Sequence, residues 1–95
     1  MKKLIEEKLK EVIDPEIGFD VISLGLIYNI EVKNKKAKIT MTLTSPFCPY
    51  GSMLIEMVKR KVEELGLEVE IELTFNPPWS IEKASKNVRK KLGLI

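Results

Sequence analysis

Residues 27–44 read Ile27-Tyr28-Asn29-Ile30-Glu31-Val32-Lys33-Asn34-Lys35-Lys36-Ala37-Lys38-Ile39-Thr40-Met41-Thr42-Leu43-Thr44, and polarity alternates through them twice. From Ile27 to Lys33 the shared face is Tyr28, Ile30 and Val32. From Lys38 to Thr44, Ile39, Met41 and Leu43 take one face and Thr40, Thr42 and Thr44 the other. A period of two marks a half-buried strand, because successive side chains leave opposite sides of the pleat. Asn34-Lys35 separates the runs, and asparagine tolerates the positive φ that a tight hairpin demands. Two antiparallel strands with one apolar face are the expected centre of the fold.

Helical spacing flanks this hairpin. Upstream, residues 3–13 bring Leu4, Ile5, Leu9, Val12 and Ile13 onto one face. Asp14-Pro15 stops that helix, since a residue before proline avoids the α region, and residues 15–25 form a loop containing Gly18 and Gly25. Downstream, Pro46 to Gly51 is a short connection into a second helix that runs to Leu65. Leu54, Val58, Val62 and Leu65 form its buried face, and Gly66 suits the position just past its end. Residues 68–75 alternate as a third strand, with Val69, Ile71, Leu73 and Phe75 inward and Glu68, Glu70 and Glu72 outward. Asn76-Pro77-Pro78-Trp79 is an extended corner, after which Ser80 caps a last helix with the stripe Ile81, Ala84, Ser85, Val88 and Leu92. The expected fold is α/β in the two-layer α+β sense: order α-β-β-α-β-α, with helices covering a mixed three-stranded sheet. Either earlier strand can neighbour the third.

The 95 residues suit a single domain, 1–95, with a modest core, and the 44% hydrophobic content is ordinary for a globular chain. No apolar stretch approaches the roughly 20 residues of a membrane span. The basic start Met1-Lys2-Lys3 has no apolar run behind it, so no signal peptide is expected. A lone cysteine forms no internal disulfide, in keeping with a reducing, cytoplasmic setting. Histidine is absent, which removes the commonest general base and metal ligand and with them ordinary zinc sites within one chain. A net charge of +2 is too small to imply a nucleic-acid partner. Lys83, Lys86, Arg89, Lys90 and Lys91 crowd the last helix, while Glu68, Glu70 and Glu72 line a strand face. Solvated faces of opposite sign are the plain reading and a docking patch the sharper one. Charged residues make up 32% of the chain, mostly Lys and Glu, and Gln is absent, a thermophile-like composition.

Chemistry concentrates in Thr44-Ser45-Pro46-Phe47-Cys48-Pro49-Tyr50-Gly51. Pro49 suits the first position of the second helix, where its missing N–H is not needed, and this would put Cys48 at the N-cap. Free N–H groups and the positive end of the helix dipole meet there and favour thiolate, lowering a cysteine pKa from about 8.5 toward neutrality. The competing reading makes Cys48 a small buried hydrophobe and the prolines mere shapers of a corner. In Asp14-Pro15-Glu16 two carboxylates flank a proline. They either supply oxygen ligands and hydrogen-bond acceptors near the thiol, or simply end a helix and meet solvent. Thr42 and Thr44, just before the cysteine, are ordinary strand residues or hydroxyl donors to sulfur. Trp79 serves as a packing anchor or an interface residue.

Asp14-Pro15-Glu16, Leu24-Gly25-Leu26-Ile27-Tyr28, Thr42-Leu43-Thr44-Ser45-Pro46 with Cys48-Pro49, and Asn76-Pro77-Pro78-Trp79 occur in this order over nearly the whole chain. Together they resemble the iron–sulfur cluster assembly domain family that includes SufT, PaaD and the eukaryotic cytosolic iron–sulfur targeting proteins. The resemblance implies a compact α/β domain acting in metal–sulfur cluster biosynthesis. It implies a reactive cysteine at Cys48, an acidic pair at Asp14 and Glu16, and supporting threonines at Thr42 and Thr44. Ser23 stands where the family usually has Asp, and Phe47 where it usually has Gly; the first removes a carboxylate and the second adds bulk beside the sulfur.

The expected function is therefore an accessory factor in assembling iron–sulfur clusters or delivering them to client proteins, with cluster assembly proteins as further partners. An iron–sulfur cluster takes four protein ligands and this chain offers one thiolate. No cluster is held stably by a monomer on this reading; a transient one, ligated by Cys48, is shared between chains, as in a homodimer. The alternative is a protein–protein interaction adaptor in which Cys48 is structural. An enzyme is the weaker reading: a thiol enzyme here lacks a C-x-x-C pair, a histidine and a resolving cysteine. Membrane and nucleic-acid partners are not expected.

Overall fold

Alternation and turn chemistry build the hairpin as expected. The computed structural model describes residues 2–15, 18–43, 50–76 and 78–91. Strand β1 spans Ile27–Lys33 and β2 spans Lys36–Met41, paired antiparallel. The two residues between them both take positive φ, 55° at Asn34 and 40° at Lys35. That is the geometry of a two-residue turn whose twist matches the strands. Lysine has no local side-chain compensation for this conformation. Lys35→Gly is therefore expected to stabilise the chain by up to about 1 kcal/mol, read as a higher urea midpoint at unchanged slope, while Lys35→Ala gives no such gain.

The third strand, β3 (Glu68–Leu73), lies parallel to β2, giving the order β1-β2-β3. The mixed three-stranded sheet is thus the expected one, and β2 is the neighbour that the pattern left open. Helix α1 (Lys2–Leu9) and helix α2 (Gly51–Glu63) pack together, α1 also meeting β1 and α2 meeting β3. The core runs from Ile5, Leu9 and Val12 through Ala37, Ile39 and Met41 to Leu54, Val58 and Val62, all fully buried. The other side of the sheet is charged: Glu31 faces Lys38, Lys38 faces Glu70 and Lys36 faces Glu68. Lys8 Nζ meets Glu64 Oε1 at 3.0 Å and ties α1 to the end of α2. That hydrogen bond is the main cause holding the Glu64 carboxyl below its ordinary range.

Several expectations need correcting. The alternation of β1 is broken at its start: Ile27 pairs with Met41 and Asn29 with Thr40, so a β-bulge at Tyr28 puts Ile27, which packs against the core, on the face of Ile30. The first helix ends at Leu9 instead of residue 13. Glu11 N–H bonds the Lys8 carbonyl and Val12 N–H the Leu9 carbonyl, tightening the last turn, and Ile13 pairs with Asp20 instead. Leu4 and Ile13 are exposed, leaving Ile5, Leu9 and Val12 to carry that face. Helix α2 ends at Glu63, and Gly66 closes the following turn with φ 81°. On the edge strand Val69 is buried, while Leu73 and Phe75 outrun the cover and are exposed.

The helix expected from Ser80 is interrupted. Ile81–Lys83 is a single 3-10 turn and helix α3 spans Lys86–Lys91. Between them Ser85 donates its amide to the Ser23 carbonyl at 2.7 Å, and its Oγ accepts the Val88 N–H at 3.3 Å, so Ser85 caps α3. It is exposed; Ala84 and Val88 of the stripe are buried, and the Ile81 side chain and Leu92 lie outside the described residues.

Candidate functional site

The site grows from the C-terminal end of β2. After Met41 the chain leaves the strand, and Thr42 donates its amide to the Leu26 carbonyl at 2.8 Å. This ties the approach to the cysteine connection onto the loop before β1. Leu26 N–H in turn bonds the Val21 carbonyl, and Val21 N–H the Val12 carbonyl. These backbone links lead from Thr42 to the segment carrying Asp14. That segment is a small closed turn, with Asp14 N–H on the Phe19 carbonyl at 2.9 Å and Gly18 N–H on the Asp14 carbonyl at 2.8 Å. Gly18 takes φ 83°, a conformation that glycine adopts without strain.

Among the described residues, the buried polar or charged side chains are Asp14 and Thr42, at 2% and 0% exposure. Both were singled out from the sequence. Burying a carboxyl costs free energy unless it is hydrogen-bonded or paired, so its place in the interior is informative. Thr42 was expected on the open face of β2, with Thr40. Its burial corrects that: the strand pairing ends at Met41, and the chain then turns in against the 21–26 loop. Thr42 Oγ1 donates to the Leu43 carbonyl at 3.4 Å, a long contact. Glu16, Thr44 and Cys48 lie outside the described residues, as does Phe47.

The start of α2 changes one element of the cysteine reading. The helix begins at Gly51 with Tyr50 as its N-cap, at φ −99° and ψ 7°, and no side chain caps it. Leu54 N–H makes the first bond of the helix to the Tyr50 carbonyl. The described start of α2 is thus Gly51 where the sequence suggested Pro49, which itself lies outside the described residues; in sequence Cys48 precedes the cap by two positions. Proline fixes φ and lacks a donor wherever it sits, which suits a turn ahead of a helix as well as its first position.

A second region, absorbed by no chemical role, explains two of the sequence motifs. Trp79 is half-buried and its indole Nε1–H donates to the Leu24 carbonyl at 2.6 Å. Gly25 takes φ 73°, and a Cβ there would overlap the Lys83 carbonyl oxygen and come within 2.7 Å of its carbon. Leu24-Gly25 and the Trp79 corner are thus the two halves of one docking contact. The packing-anchor reading of Trp79 holds. Ser23 sits in the same contact: Asp20 Oδ2 accepts its amide at 3.0 Å, and its carbonyl receives Ser85. Asp20 was not singled out from the sequence; the Asp20-x-x-Ser23 spacing of a side-chain-closed turn was the signal available.

Residues 2–73 match the family of iron–sulfur cluster assembly proteins. The chain belongs to this family. The Fe–S protein maturation auxiliary factor YitW of Bacillus subtilis is 35% identical over 97 residues, covering 99% of this chain and 95% of its own length. An Fe–S protein maturation auxiliary factor of Porphyromonas gingivalis is 43% identical over 94 residues, covering 96% and 90%. A crystal structure of a domain of unknown function from Bacillus anthracis superposes with a TM-score of 0.90 at 36% identity, covering 98% of this chain and 92% of that one. The stretch matched to the cluster assembly family includes Asp14, Glu16, Thr42, Thr44 and Cys48 and stops short of the Trp79 corner. No helix of the described residues is long and apolar enough to cross a membrane, and none of their His, Cys, Asp and Glu side chains gather in threes as a metal site.

Proposed function

We propose that this chain is an accessory factor that takes part in iron–sulfur cluster assembly and delivers clusters to client proteins in the cytoplasm, acting as one unit through the Cys48 thiolate. The observation that carries this reading is the burial of Asp14 and Thr42, linked through the 12–26 loop at the approach to the cysteine connection. A site for a soft metal needs sulfur as ligand and oxygen acceptors and donors to orient it; Cys48 would supply the first and the buried Asp14 and Thr42 the second. On this reading Glu16 and Thr44, which the family resemblance adds by sequence, serve the same site. A cluster takes four ligands, and this chain has one cysteine and no histidine. The cluster is therefore cargo, held between two copies or between this chain and a client or donor protein. The names of the Bacillus subtilis and Porphyromonas gingivalis relatives, both maturation auxiliary factors, agree with this role.

The test pairs Asp14→Asn with Thr42→Val in an anaerobic assay that restores activity to an apo-enzyme dependent on a cluster. Each variant removes a functional group while nearly keeping its volume. Client activation is expected to fall by about tenfold or more for either, the usual cost of losing a group that orients a metal ligand. Activation at the wild-type rate by both, in chains that melt with the wild type, overturns the site.

A further inference from the structure

Strand β3 ends the sheet, and no strand of the described residues lies beyond it. Its hydrogen-bond phase is fixed by its neighbour: Glu68 N–H bonds the Lys35 carbonyl and Thr74 N–H the Met41 carbonyl, each at 2.9 Å. Even-numbered residues thus turn their backbone groups toward β2, and Val69, Ile71 and Leu73 turn theirs toward the open edge. Proteins usually guard such an edge with lysine, proline or a bulge. From Glu68 to Leu73 this edge has no lysine, proline or bulge and keeps unbroken register with β2; its guard is three exposed glutamates, which repel an acidic strand and admit a basic one. A groove of about 510 Å³ lies beside its first four residues, Glu68 to Ile71, with Ile55, Glu56 and Lys59 of α2 and Lys36 of β2 also lining it.

Charge restricts what can lie there. Glu68, Glu70 and Glu72 project from the outer face, all exposed. Lys38 reaches Glu72 at 3.2 Å, while Glu68 and Glu70 form no ion pair among the described residues. A second copy adding its own β3 would set glutamate rows side by side. A second copy adding β1 would offer Asn29, Glu31 and Lys33, with an acid at the centre. What fits is the pattern that β2 already presents on the other side, Lys36 and Lys38 opposite Glu68 and Glu70 with Ala37 and Ile39 facing inward.

We propose that β3 accepts a fourth strand from a partner protein, an extended segment in which Lys or Arg alternates with apolar residues. Its backbone pairs with Val69, Ile71 and Leu73, its cations sit beside the glutamates, and its apolar side chains enter the groove against Ile55 and Ile71. The partner's role as client or donor rests on the proposed function; the edge itself does not, and its test contains no iron.

The probe is the end-blocked peptide Lys-Val-Lys-Ile-Lys-Val-Lys, titrated into the isotope-labelled full chain and followed by amide NMR. Shifts and slowed exchange are expected at the Val69, Ile71 and Leu73 amides. The double variant Glu68→Lys, Glu70→Lys, with an unchanged circular dichroism spectrum, is expected to bind this peptide at least about tenfold more weakly and to bind Glu-Val-Glu-Ile-Glu-Val-Glu instead. Absence of amide shifts at millimolar peptide overturns the proposal. So does equal binding of the blocked-charge peptide Lys-Lys-Lys-Lys-Val-Ile-Val, or an undiminished affinity in the double variant.

Discussion

Cys48→Ala is expected to fold as the wild type does and to lose client activation by more than about tenfold, since losing a metal ligand costs at least as much as losing a group that orients one. The size of the effect follows from composition. No second cysteine and no histidine exist in the chain to take over a soft ligand's role. Alanine nearly keeps the side-chain volume but has no lone pair to give. Cys48→Ser keeps a donor atom, but oxygen is a hard ligand with a high pKa, so serine should behave like alanine in the assay. If the cysteine is a packing residue, the pattern inverts: the variant melts at lower temperature and activates the client normally. Differential scanning calorimetry beside the activation assay separates the two.

The second large effect is on stability. Gly25→Ala is expected to cost about 3–4 kcal/mol. About 1–2 kcal/mol comes from placing a side chain at a left-handed φ, and the rest comes from the contacts displaced. The φ is 73°, and the new methyl would fall on the Lys83 backbone, which cannot move aside as a side-chain tip could. Relief requires lifting the Lys83–Ser85 segment. That would break the Ser85 amide bond to the Ser23 carbonyl and loosen the Trp79 indole from Leu24. For a chain of this size the melting temperature should fall by roughly 12–30 °C. Gly18→Ala is the control: it also has positive φ, but its added Cβ meets nothing within 4 Å, so it should cost only the backbone share. Equal melting temperatures for the two variants would show that the Lys83 approach contributes nothing.

The contrast between these glycines shows what the sequence carried and what it did not. Alternation at Ile39 and Met41 placed the inner face of β2 because pleat and polarity share a period. Asn34 marked the turn because its φ preference is local. Neither property reaches across the chain. The overlap at Gly25 depends on a backbone 58 residues away, and the parallel docking of β3 on β2 depends on where α2 returns the chain. The bulge at Tyr28 adds one residue without changing composition, so a strict period of two left Ile27 off the inward face that it in fact joins. At the site, Asp14 and Thr42 were readable as motif members, but their burial was not. Thr42 continues the alternation of an exposed face and is buried because the strand pairing stops one residue earlier. The start of α2 was read from Pro49, whose two constraints suit either side of a helix boundary; Tyr50 is the cap.

The most direct measurement of the central claim, that the Cys48 thiolate takes iron in handling a cluster, is the visible spectrum under anaerobic iron and sulfide. Wild type is expected to gain sulfur-to-iron charge-transfer bands that Cys48→Ala lacks under the same conditions. Bands of equal strength in both proteins, or none in wild type, would contradict it.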